Sequence, residues 1–192
     1  MRTGMDIARF TAAAYDVPGL AAWLARVGGR YVLTTGGLAP ENGVLDLLEA
    51  HATLLLEQAA LADVRMVVAG RQPDADEDLV AELTRRAAEL GTAPILLGPV
   101  TEAEFPALVA GASAFGYLPT RDASCVSAIE ALAAGVPVIA RDLPEVRAVL
   151  RDVVAYGDTV LSIADALVDV LTDPPEPDAG VALAAAYAEE GA

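Results

Sequence analysis

Residues 121 to 130 read Arg121-Asp122-Ala123-Ser124-Cys125-Val126-Ser127-Ala128-Ile129-Glu130, with two carboxylates separated by seven residues across a turn that feeds a helix. Asp122 or Ser124 suits the cap of that helix, and the backbone amides at its entrance, at the positive end of the helix dipole, suit an anion. Glu130 is then expected about two turns inside the helix, flanked by Ile129, Ala131, Leu132 and Ala133. A carboxylate is costly there unless a hydrogen-bond donor answers it. A ribose diol is one such donor; simple exposure of Glu130 to solvent is the other reading.

A second candidate is Gly36-Gly37-Leu38-Ala39-Pro40-Glu41-Asn42-Gly43, which follows one apolar run and opens the next helix. Its amides suit a phosphate at a helix entrance as well as they suit a plain glycine turn. The spacing is neither the G-x-G-x-x-G of nicotinamide folds nor a P-loop, which needs a lysine after its second glycine. Arg71 and Arg121 stand on neighbouring turns as cations for such an anion. Asp74-Ala75-Asp76 has the form of a metal-binding carboxylate pair, but the polar run from Gln72 to Asp78 reads more simply as a helix entrance. Cys125, at a helix start where a thiol pKa falls, pairs on paper with His51 as nucleophile and base; a small loop residue and a packed helix residue are the plainer reading.

These residues need a scaffold, and the hydrophobic pattern supplies one. Short apolar runs at Tyr31–Thr35, Arg65–Ala69, Pro94–Leu97, Ala114–Leu118, Val136–Ala140 and Val153–Tyr156 alternate with segments of helical period. The helical segments fall at Gly43–Ala60, Glu77–Leu90, Glu102–Ala110, Ser124–Ala134 and Thr159–Leu171. Apolar strands without polar alternation, each followed by a helix, predict a doubly wound, Rossmann-like parallel α/β sheet covered on both faces. Ligands of such sheets bind at the carboxyl ends of the strands, where the turns Gly36-Gly37, Gly70-Arg71, Gly98-Pro99, Pro119-Thr120-Arg121 and Arg141-Asp142 fall.

Composition removes several classes of function. The 192 residues carry a formal charge of −16, and all 12 cations are arginine, so affinity for nucleic acid or anionic membrane is not expected. One cysteine and one histidine leave no zinc cluster to assemble. Acidic residues and arginines interrupt every apolar run well short of the ~20 residues that span a bilayer. With no apolar export segment at Met1–Asp6, the expected location is the cytoplasm.

The order Val67-Val68-Ala69-Gly70, Leu97-Gly98-Pro99-Val100, Leu118-Pro119, Asp122 and then Glu130-Ala131-Leu132-Ala133-Ala134-Gly135-Val136-Pro137-Val138-Ile139-Ala140 is similar to the donor domain of family-4 retaining glycosyltransferases of GT-B fold. Gly4-Met5-Asp6 with Arg9-Phe10 resembles the segment by which those enzymes enter that domain. The resemblance implies a single domain of GT-B C-terminal type, with a linker-like segment and lead-in helix over 1–29. The nucleotide-sugar-binding unit then covers 30–172, and an acidic, proline-rich linker with a tail helix covers 173–192. It implies Asp122 as the catalytic-edge acid and Glu130 as the ribose ligand. The base falls near Gly98 and Val100, and sugar or phosphate near Gly36, Gly37, Ala123, Ser124, Cys125 and Val126, with Arg71 and Arg121 as cations. The family's usual pair of glutamates reads Asp122 and Glu130 here, its loop lysine is Asn42, and its Glu-Gly-Phe-Gly loop is Asp122-Ala123-Ser124-Cys125.

The activity so implied is glycosyl transfer from a nucleotide-diphosphate sugar with retention and without a metal or other cofactor. The acceptor side would come from a separate domain or from self-association, since this chain matches the donor half. A non-catalytic subunit that binds a nucleotide or an acceptor-domain partner is the competing expectation, favoured by Asn42.

Overall fold

The computed structural model describes residues 6–36, 39–70, 77–121 and 124–190. Six strands form one wholly parallel sheet: β1 (Tyr31–Thr34), β2 (Arg65–Ala69), β3 (Ile95–Gly98), β4 (Ala114–Tyr117), β5 (Val138–Arg141) and β6 (Ala155–Gly157). Their order across the sheet is β3-β2-β1-β4-β5-β6, so the direction of winding reverses between β1 and β4. Register there aligns Val32 with Ala114 and Leu33 with Phe115.

Strand residues alternate between two cores, as a pleated sheet buried on both faces requires. Leu33, Val67, Phe115 and Val138 enter one core, while Val32, Met66, Ala114 and Ile139 enter the other. The second core is closed by α3 (Val44–Glu57), α4 (Glu77–Leu90) and α8 (Val160–Thr172). The first is closed by α1 (Ala8–Ala13), α2 (Val17–Val27), α5 (Phe105–Ala110), α6 (Val126–Ala133), α7 (Pro144–Leu150) and α9 (Asp178–Glu190).

Both ends of the described chain belong to this packing. Phe10, Trp23 and Val27 are buried with Leu108 and Ile129, and Phe10 meets the Phe105 ring edge-on at 6.0 Å. The tail expected beyond 172 is a helix lying on α6: Leu183 and Ala184 join the first core, and Gly180 leaves room for the Leu132 side chain. Among the described residues no helix is long and apolar enough to cross a membrane.

Two features fix the edge of the sheet where a ligand would sit. Gly43, between the short 3-10 turn Pro40–Asn42 and α3, adopts φ +65, and a Cβ there would lie 2.1 Å from the Leu118 carbonyl oxygen. Only glycine allows the β1–α3 loop to lie this close to the end of β4. Arg141, almost wholly buried, pairs through Nη2 with Asp46 in the first turn of α3 and donates from Nη1 to the Asp158 carbonyl at 3.2 Å. It thereby ties β5, α3 and the β6–α8 turn together.

Candidate functional site

Where the strand order reverses, the connections leaving β1 and β4 diverge and open a crevice at the carboxyl end of the sheet. A cleft of about 220 Å³ fills it, floored by Thr34, Gly116, Tyr117 and Leu118 and walled by Gly36 and Asn42 on one side and Arg121, Ser124 and Ser127 on the other. The Thr120 amide donates to the Glu41 carbonyl at 2.8 Å and latches the two walls together, while within one wall Asn42 Nδ2 donates to the Gly36 carbonyl at 2.9 Å. Asn42 thus shapes the loop with its amide and adds no charge to the cleft. Arg121 and the Glu41 carboxylate are the ionisable groups of opposite sign along it, among the described residues. The hydroxyl-bearing residues Thr34, Thr35, Tyr117, Ser124 and Ser127 also line it.

Helix α6 begins at Val126, two residues later than its sequence pattern suggests, because Cys125 takes a left-handed conformation at φ 55 and breaks the helical run. Its N-terminus has no side-chain cap. The entrance amides are therefore not all available: the Cys125 N–H donates to the Tyr117 hydroxyl at 2.8 Å. Burial pushes the Tyr117 phenol up to about 12, so near neutrality it keeps its proton and can donate it into the cleft.

The Cys125 side chain faces inward and is fully buried in the first core. Burial, the largest cause, raises its thiol pKa, opposite to the fall expected at a helix start. His51 sits on α3 across the sheet, buried, with Nε2 3.0 Å from the Val64 carbonyl. The paper pairing of Cys125 with His51 is excluded by a sheet lying between them.

Glu130 lies just over one turn into α6, and it does not simply face solvent: its side chain retains 15% exposure. Residues three apart share a helix side, so Glu130 continues the line of Ser127, which walls the cleft. Burial raises the Glu130 pKa, and the positive charge of Arg9 opposes that rise. Arg9 Nη2 stands 3.9 Å from Oε1, too far for a hydrogen bond, and the carboxylate accepts none from the described residues.

The expected site residues therefore divide. Gly36, Arg121 and Ser124 line the cleft, Glu130 follows the lining residue Ser127 by about one turn of α6 without itself lining the cleft, and Cys125 keeps its thiol in the core and its N–H on Tyr117. Val126, at the mouth of α6, is exposed. Gly98 and Val100 lie at the end of edge strand β3, two strands from β1, and neither reaches the cleft. Gly37, Arg71, Asp122 and Ala123, with the Asp74–Asp76 pair, lie outside the described residues. Tyr117 carries no local signal in the sequence, and Arg141, expected only as part of a turn at the ligand edge, instead spends its guanidinium on Asp46 and the Asp158 carbonyl.

A family model for glycosyl transferases group 1 matches residues 29–173, which is most of the chain and the whole of the sheet. The chain belongs to this family. Among solved structures, trehalose-phosphate synthase from Burkholderia xenovorans in complex with glucose-6-phosphate is similar with a TM-score of 0.80 at 16% identity, over 98% of this chain and 46% of that one. The E. coli trehalose-6-phosphate protein bound with UDP-2-fluoro glucose gives a TM-score of 0.78 at 16% identity, over 98% and 47%. Anabaena HepE in complex with UDP and glucose gives 0.74 at 19% identity, over 91% and 48%. At these identities the likeness establishes the GT-B-type Rossmann-like fold of this group 1 glycosyl transferase domain. The chain spans about half the length of these neighbours. At the level of sequence alone, no curated protein matches it.

Proposed function

We propose that this group 1 domain binds a nucleotide-diphosphate sugar across the β1–β4 cleft and serves as the donor half of a retaining glycosyl transfer, with the acceptor side supplied by a separate domain or chain. The observation that carries the reading is Glu130: a half-buried carboxylate that accepts no hydrogen bond from the described residues, about one turn of α6 beyond Ser127, which lines the cleft at the strand-order reversal. A ribose diol supplies the two hydroxyl donors that such a carboxylate lacks.

With ribose on Glu130, the diphosphate extends along α6 toward Ser127, Ser124 and Arg121. The uncapped α6 entrance and the Arg121 guanidinium then stabilise the negative charge that grows on the departing diphosphate as the glycosidic bond breaks. The Tyr117 hydroxyl, which already accepts from Cys125, has its own proton to give to a phosphate or sugar oxygen. Asp122, on the turn before α6, is proposed as the acid facing the sugar, and the base is assigned to the β3 side near Gly98 and Val100. The chemistry is carried by amides, dipoles and guanidinium groups, and the proposal assigns no metal.

One observation favours binding without turnover. Asn42 stands where the family resemblance places a lysine, and its amide holds the Gly36 carbonyl, so this wall brings no cation to a diphosphate. Losing a charge-assisted contact of this kind costs about 1.5 to 3 kcal/mol.

Thermal unfolding of the purified chain with UDP, GDP and ADP and their sugars tests donor binding. A rise in melting temperature with at least one of them is expected, and its absence with all of them refutes the proposal. Turnover of a bound donor by the chain alone would refute the assignment of the acceptor side to another domain.

A further inference from the structure

Arg9 on α1 reaches the proposed ribose ligand from outside the sheet, and its surroundings are unusual for a surface arginine. Its Nε is enclosed and has no hydrogen-bond partner among the described residues. Its guanidinium carbon lies 4.9 Å from the centroid of the Phe10 ring, which is itself locked into the core against Phe105. The charge is answered by Glu130 alone among the described carboxylates, at 3.9 Å. Enclosing part of a guanidinium without an acceptor is unfavourable, and a pair this loose returns little in stability. The arrangement does something else well: it holds a positive charge beside a half-buried carboxylate while leaving both carboxylate oxygens free to accept.

We infer that Arg9 is a positioning residue for nucleotide recognition, holding the Glu130 carboxylate oriented toward the cleft so that it can accept both hydroxyls of a ribose. The inference rests on the proposed donor site and deepens it. Arg9 lies one residue before Phe10, whose burial fixes α1 on α5 and α6, so packing sets the guanidinium while its Nε has no hydrogen-bond partner among the described residues. Recognition of the ribose thereby depends on the segment that precedes the sheet as well as on α6. Arg9 acts through Glu130, so its effect is confined to ligands that use the diol.

The test measures, by isothermal titration calorimetry, the Kd of UDP, GDP and ADP, each beside its 2′-deoxy analogue, for the full chain and for Arg9→Gln, Arg9→Lys, Glu130→Gln and the Arg9→Gln/Glu130→Gln pair. Arg9→Gln is expected to weaken the ribonucleotide that binds by about tenfold, the scale of one charge-assisted contact, and its deoxy analogue by less than about twofold. Arg9→Lys restores most of the loss. In the Glu130→Gln background, Arg9→Gln adds nothing further, because the two residues act as one unit. Should Arg9→Gln fail to fold, the smaller ribose-confined loss in Arg9→Lys carries the same comparison. Equal affinity in wild type and Arg9→Gln, or a loss equal for ribose and deoxyribose and additive with Glu130→Gln, overturns the inference while leaving the donor site standing. A wild-type chain that binds none of the nucleotides overturns both.

Discussion

Alanine at Gly43 and alanine at Gly91 should differ in cost by far more than their backbones do. Gly43 has φ +65 and Gly91 has φ +67, so an L side chain meets the same left-handed penalty at both, about 1 to 2 kcal/mol. Their surroundings differ: a Cβ at Gly91 meets nothing within 4 Å, whereas one at Gly43 meets the Leu118 carbonyl oxygen at 2.1 Å and Leu118 Cβ at 2.9 Å. Those atoms belong to the end of β4 and cannot swing aside as a flexible side chain would. Relieving the clash moves the two cleft walls apart, which adds an overpacking cost of about 1 to 3 kcal/mol. Gly43→Ala should therefore cost about 2 to 5 kcal/mol in all. For a domain of this size each kcal/mol lowers Tm by about 2 to 4 °C, so a cost of about 3 kcal/mol gives a fall of about 6 to 12 °C. Gly91→Ala, which meets the backbone penalty alone, should fall by about 2 to 8 °C, less than Gly43→Ala by the overpacking cost. Thermal unfolding followed by circular dichroism reads both. Melting temperatures for the two variants within about 2 °C of each other would refute the claim that close approach at Leu118, rather than glycine's backbone freedom, builds this edge.

Three further outcomes follow from side chains whose partners are long-range. Tyr117→Phe removes the acceptor of the Cys125 N–H and should cost about 1 to 3 kcal/mol in urea unfolding; an unchanged midpoint would show that the hydroxyl does not hold the loop. Asp46→Ala should destabilise more than Arg141→Met, because the first strands a buried guanidinium while the second leaves a carboxylate that is 41% exposed to water; the reverse order in denaturant midpoints would contradict the burial argument. Burial, its largest cause, lowers the pKa of His51, the chain's one histidine, so below about pH 6.5 the unfolded state binds a proton that the folded state refuses. That contribution to stability is complete above the unfolded pKa and is lost as pH falls toward the folded one. His51→Gln should flatten the slope of unfolding free energy between pH 7.5 and 5.5, and an unchanged slope would place the titration elsewhere.

The sheet could be read from sequence because its strands are buried on both faces and so carry uninterrupted apolar runs. Arg65–Ala69 and Glu77–Leu90 appear with the bounds their patterns suggest, and the other predicted strands shift by one or two residues. Helix α7 escaped notice because Pro144-Glu145-Val146-Arg147 interleaves polar and apolar residues over only two turns, too short to show a period. Glu130 stood out because a carboxylate among alanine, leucine and isoleucine demands an explanation from local sequence alone. Its partner Arg9 lies far along the chain, and only the docking of α1 onto α5 and α6 brings the two charges together. The αL turn at Cys125 was equally hidden, since the residue type gives no sign of it; the Tyr117 hydroxyl supports it from another strand. The separation of Gly98 and Val100 from the cleft follows from strand order, which a periodic pattern does not encode.

The central claim is that a nucleoside diphosphate sits along the cleft with its ribose on Glu130. Calorimetric titration of the full chain and of Glu130→Ala with UDP, GDP and ADP tests it most directly, with circular dichroism confirming that both chains are folded. Saturable binding of at least one nucleotide to the wild-type chain, lost or weakened at least about tenfold in Glu130→Ala, is the predicted result. Nucleotide binding that is unchanged when Glu130 becomes alanine, or no binding by the wild-type chain at all, would contradict it.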